Sequence, residues 1–156
     1  MDTKRITHTV TMAALTILLA TSCEKYNITE GIYGKVIERY GDWMPWVGSN
    51  PPDHGERPIE CEIYVYEYTR TRDFDQQYIG NYPISAMPKP LVATTTTNRK
   101  GRYQISLPPG EYSVFLLDDD GKLHANYGDD HGGLCPVKVE AGKVYELNLL
   151  LDHAVY

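Results

Sequence analysis

The sequence predicts an all-β fold: a seven-stranded antiparallel β-sandwich, prealbumin-like, preceded by an N-terminal signal segment. Three observations carry the strand and sheet part of that reading. Short runs of alternating apolar and polar residues recur from Gly31 onward, the period of a strand with one dry face. Gly, Pro, Asn and Asp cluster between the runs, where hairpins reverse. Tyrosine outnumbers phenylalanine 13 to 2, and a Tyr ring packs in a strand while its hydroxyl stays wet. No helical periodicity of useful length competes.

The chain starts with a targeting pattern. Lys4 and Arg5 form a basic opening, and Val10 to Ala20 is mostly apolar. That run is too short to span a bilayer, which takes roughly 20 apolar residues. Ala20-Thr21-Ser22 then lead into Cys23. This ending resembles the lipobox of bacterial lipoproteins in the relaxed form familiar from Bacteroidetes, with Leu19 one step earlier than usual. The resemblance implies that residues 1–22 are a signal peptide and that Cys23 is lipidated and becomes the new N-terminus. Residues 23–30 are then a tether, and the membrane is reached by an anchor rather than a span. Glu24, not Asp, follows the cysteine; this does not resemble an inner-membrane retention signal and points to the outer membrane of the cell envelope.

The strands follow in order. In "GIYGKVIERYG" Ile32, Gly34 and Val36 share one face. In "IECEIYVYEYT" the inner set is Ile59, Cys61, Ile63 and Val65, and Tyr64, Tyr66 and Tyr68 face the other way. "PLVATTTT" is β-branched. "GRYQISL" alternates with Tyr103, Ile105 and Leu107 inward, and "EYSVFLL" with Tyr112, Val114 and Leu116. "CPVKVEAG" offers Cys135, Val137 and Val139, and "KVYELNLLLD" offers Tyr145, Leu147, Leu149 and Leu151. Pro108-Pro109-Gly110 ends one strand and starts the next, since proline cannot donate to a ladder and glycine accepts positive φ. Two long loops, Asp42–Pro58 and Asp73–Pro90, interrupt the pattern.

The order "GKV", "RPIECEIYVYE", "TTNRKGRYQISLPPGEYSVF", "PVKVEAGKVYELNLLL" resembles the carboxypeptidase regulatory-like domain, a transthyretin-like β-sandwich, from about Gly31 to Leu151, which implies one domain over residues 31–156. The resemblance implies a non-catalytic domain, because in metallocarboxypeptidases this unit follows the catalytic one. It also implies no cofactor.

The residues themselves carry little chemistry. There is no Gly-x-Ser-x-Gly elbow and no marked Ser, His and Asp set, so no catalytic residue is assigned. A net charge of −6 without a basic cluster argues against nucleic acid. His54, His124, His131 and His153 lack zinc spacing. Asp118-Asp119-Asp120-Gly121 and Asp129-Asp130-His131 supply oxygens suited to calcium, but Asp and Gly form turns equally well, and no metal is assigned. Cys61 and Cys135 are either a disulfide or two buried thiols; spacing alone does not choose. The best binding candidates are Trp43, Met44 and Trp46, large apolar groups among turn formers, suited to a glycan or an envelope protein. The alternative is that a tryptophan closes an end of the sandwich.

Overall fold

The computed structural model describes residues 26–78 and 80–156. The signal peptide and Cys23 lie outside the described residues. The rest is all β, with two single 3₁₀ turns, Thr71–Asp73 and Ile84–Ala86, and no α-helix among the described residues.

Among the described residues eleven strands form two stacked sheets. The first has β1 (Gly31–Gly41) at its centre. On one flank β6 (Arg102–Ser106) and β2 (His54–Pro58) pair with it antiparallel. On the other flank β10 (Val144–Glu146) and β11 (Leu149–Asp152) pair with it parallel. The second sheet runs β4 (Asn81–Pro83), β8 (Lys122–His124), β7 (Gly110–Leu117), β3 (Glu62–Glu67), β5 (Leu91–Thr96), with β9 (Pro136–Val139) also on β7.

Two expectations need correction. The count is eleven rather than seven. Two short strands, β2 and β4, lie inside the expected long loops, because each is fixed by pairing with another segment rather than by its own alternation; β8 is the short return strand of a hairpin with β7 at the Asp118–Gly121 turn. The last expected strand is split into β10 and β11. Its register against β1 continues through the gap, with Tyr33 opposite Glu146 and Val36 opposite Leu149. At the gap the Asn148 side chain accepts from the Lys35 amide at 2.9 Å, replacing a ladder bond. The sheet is also mixed, since β1 meets the C-terminal strands in parallel.

The core parity holds. Ile32, Val36, Ile63, Val65 and Val114 are fully buried, and Tyr103, Ile105, Leu107, Tyr112, Leu116, Leu147, Leu149 and Leu151 join them between the sheets. Gly34 is needed where it stands. A Cβ there would lie 1.9 Å from the Leu147 carbonyl oxygen, and that same oxygen accepts from the Tyr103 hydroxyl at 2.6 Å. The Tyr112 ring reaches the core, and its hydroxyl donates to the Pro108 carbonyl at 2.7 Å, closing the turn that precedes it.

A second, smaller core covers the other face of the second sheet. Tyr66, Phe115 and Leu123 bury their side chains there with Tyr82 and Leu134, and Phe74, Tyr78 and Met87 of the second long loop pack over them. Tyr66 therefore lies under a cover rather than on a solvated face. Phe115 meets Tyr66 and Tyr82 edge to face, with centroids 5.8 and 5.9 Å away.

Candidate functional site

The strongest candidate site is the end of the sandwich reached by the C-terminus of β1. The loop after Gly41 is rooted in the chain's own tail: the Trp43 amide donates to the Val155 carbonyl, and the Val155 amide donates back to Gly41. Asp42 accepts from the Met44 amide at 2.8 Å and turns the chain outward. Beyond that root the loop is bare. Trp43, Met44, Trp46 and Val47 are 39%, 52%, 55% and 96% exposed, and Val155 and Tyr156 stand open beside the root. Contiguous exposed apolar groups of this kind mark contact surfaces.

The two tryptophans differ. The Trp43 indole N–H donates to the Tyr40 carbonyl. Its ring is met by His54 at 4.8 Å and by the Arg39 guanidinium at 5.3 Å. Arg39 is in turn held by Glu56 and by the Tyr156 hydroxyl. Trp43 is thus both a closing group and part of the surface, whereas no described ring or cation meets Trp46.

A separate cleft of about 250 Å³ is lined by Glu38, Arg57, Cys61, Asp119 and His153 among others. Glu38 is buried, which opposes its charge. Hydrogen bonds from Arg57 at 2.7 Å and from the His153 ring at 3.1 Å outweigh that burial and hold its carboxyl below the ordinary range. A matching pair comes from the second sheet, where Asp118 Oδ2 lies 2.8 Å from His124 Nε2. Asp118 is also lowered: burial opposes, and the Lys122 amide and His124 prevail. The His124 and His153 rings meet edge to face, with centroids 6.5 Å apart. The alternation pattern holds no signal for the first pair, because Glu38 and His153 are 115 residues apart, whereas Asp118 and His124 are neighbours across the β7–β8 turn.

The remaining candidates fall elsewhere. Cys61 and Cys135 are free thiols. Burial raises the Cys61 pKa and pushes Cys135 up to about 11, the opposite of an activated thiolate. Asp129 spends its carboxylate on the turn: it accepts from the Gly133 and His131 amides and from the Tyr68 hydroxyl. Among the described residues no three His, Cys, Asp or Glu side chains gather as a metal set, and no helix is long and apolar enough to cross a membrane. Tyr64 donates to Glu62 on the outer face.

Comparisons with protein-family models, with curated proteins and with solved structures return no match.

Proposed function

We propose that this chain is a non-catalytic, lipid-anchored β-sandwich module of the bacterial cell envelope, of the carboxypeptidase regulatory-like kind, which binds a partner through the Trp43–Val47 loop. The observation that carries the reading is the position of the exposed apolar loop. The tether enters at Gly31 and the loop leaves at Gly41, the two ends of one strand. At about 3.3 Å per residue those ends stand on the order of 35 Å apart. A domain held to the membrane by Cys23 then turns its aromatic loop away from the bilayer, towards other envelope components.

The partner class divides into an envelope protein and a glycan. Trp46 favours the glycan reading as well, since a half-exposed indole is a sugar-stacking platform. Trp43→Ala and Trp46→Ala, singly and together, test both. Retention on envelope polysaccharides should fall with Trp46→Ala if a glycan is bound. Recovery of a specific protein from the native envelope should fall with the double variant if a protein is bound. Unchanged behaviour in both assays removes the loop as the binding element. Mass spectrometry of the N-terminus tests the anchor: an unmodified Cys23 in the native envelope ends the lipoprotein reading.

A further inference from the structure

The second sheet ends in a strand that lacks the usual protection of a sheet edge. Free edges invite pairing with another chain, and proteins blunt them with charge, proline, brevity or a cover. The other edges here are blunted. β2 carries Glu56 and Arg57 and ends in Pro58. β4 and β10 have three residues each. β9 opens with Pro136 and carries Lys138. β11 is covered by Asn126, whose side-chain amide bonds both the N–H and the C=O of Leu150. β6 carries Arg102, and its Gln104 carbonyl is met by the Thr95 hydroxyl.

β5 reads Leu-Val-Ala-Thr-Thr-Thr, six residues without a charge or a proline. A bulge at Val92, which the register skips between Ala93 and Leu91, blunts the start of the strand and leaves Ala93–Thr96 regular. Leu91 and Val92 are exposed, as are Thr94 and Thr96. The pairing phase shows which backbone groups are free. The Thr97 amide donates to the Cys61 carbonyl, so hydrogen-bonded pairs recur at Ile63 with Thr95 and at Val65 with Ala93. Thr94 and Thr96 then turn their N–H and C=O away from β3, off the edge of the sheet.

Charge states what kind of strand fits. Lys89 precedes β5, and Arg99, Lys100 and Arg102 follow it. Arg99, Lys100 and Arg102 have no ion-pair partner among the described residues, on a protein of net charge −6. A second copy is a poor match: antiparallel pairing centred on Thr94 sets Lys89 opposite Arg99 of the other chain. We propose that the free edge of β5 accepts an extended strand from a partner protein, uncharged at its centre and acidic at its flanks. Main-chain bonds at Thr94 and Thr96 hold it, and the flanking cations set its register and choose it.

The test uses the full-length chain and two capped octapeptides with the same Val-Thr-Val-Thr centre, one flanked by paired aspartates and the other by paired lysines. The acidic peptide should bind about tenfold more tightly at low salt and lose most of that preference near 1 M salt. It should slow amide exchange at Thr94 and Thr96. Thr94→Pro removes one outward donor at an edge position where proline is tolerated and should weaken binding about tenfold, the worth of one well-made bond. Should that variant fail to fold, Arg99→Glu with Lys100→Glu should abolish the preference for the acidic peptide while leaving the strand intact. Equal affinity for the two peptides, protection at another edge, or self-association that Thr94→Lys abolishes would each overturn the proposal. The edge is separate from the aromatic loop, so either can fail alone.

Discussion

The two long loops look alike in sequence and end in opposite places. Both are rich in Pro, Gly, Asn or Asp, and both carry large aromatic rings. The second, Asp73–Pro90, folds back over the sheet. Phe74 and Tyr78 pack on the buried Tyr82, and Tyr82 meets Phe115. The first, Asp42–Pro58, runs off the end of β1 and leaves Trp43, Met44, Trp46 and Val47 in water. What separates them is the surface within reach. The second loop lies beside an apolar face made by Tyr66, Phe115 and Leu123, and burial there gains roughly 25 cal/mol per Å². The first loop has only the rim of β1, β2 and β11, which is occupied by Arg39, Glu56, Arg57 and Asp152. Aromatic content therefore does not distinguish a structural loop from a binding loop. The neighbouring face does.

Phe115→Ala should separate the two loops most clearly. The ring is fully buried beneath the second loop, so the expected loss is about 3–5 kcal/mol in urea unfolding. Tyr82→Ala should cost somewhat less, about 2–4 kcal/mol, and should expose the second loop to limited proteolysis before global unfolding. A loss under about 1 kcal/mol for either would mean that the second loop is no more structural than the first.

The rim beneath the first loop should respond to acid. The folded-state pKa of Glu38 lies below its unfolded value, so between the two the unfolded chain binds more protons than the folded one. The stabilisation is complete above the ordinary glutamate value of about 4.3 and drains as pH falls through the lower folded value. Asp118 behaves the same way. Glu38→Gln should cost about 1.5–3 kcal/mol at pH 7, the range for hydrogen bonds to charged groups. It should also flatten part of the fall in melting temperature below pH 5 (about the onset expected for depressed carboxylates). A Glu38→Gln curve parallel to the parent's would remove this carboxylate from the acid response.

Smaller effects belong to the first loop itself. Trp46→Ala should change stability by no more than about 0.5 kcal/mol, and Trp43→Ala by about 1 kcal/mol, because only Trp43 is rooted. Equal and large losses from both would make the loop structural and erase the contrast. The thiols refine the same picture without changing stability. Cys61, half-buried beside the cleft, should alkylate slowly in the native protein. Cys135, buried in the main core, should react only on global unfolding. Matched labelling rates would place the cleft and the core in one opening unit.

Most of the core is legible in the order of the residues. The alternation puts Ile32, Ile63, Tyr103, Ile105, Tyr112 and Val114 inside, and there they are. The shared parity of Tyr64, Tyr66 and Tyr68 is legible too, but not that Tyr66 is roofed by a segment further along the chain. The exposed aromatics of the first loop stand out as candidates; that Trp43 is pinned by Arg39 and His54 does not. The Glu38–His153 pair leaves no trace, since its members are 115 residues apart until the first sheet brings them together; Asp118 and His124 sit on one hairpin, where a single Asp and a single His read as ordinary solvated side chains.

Period and turn chemistry act between neighbours, so the amino-acid order alone decided which segments are extended, which side chains alternate inward and where the Pro108–Gly110 reversal falls. Pairing acts between segments far apart, and many partners satisfy the same local pattern. Only the assembled sheets chose the parallel match of β1 with β10 and β11, the short strands β2 and β4, and the uncovered edge of β5. The same choice decided which aromatic loop found an apolar face to lie on and which was left facing solvent.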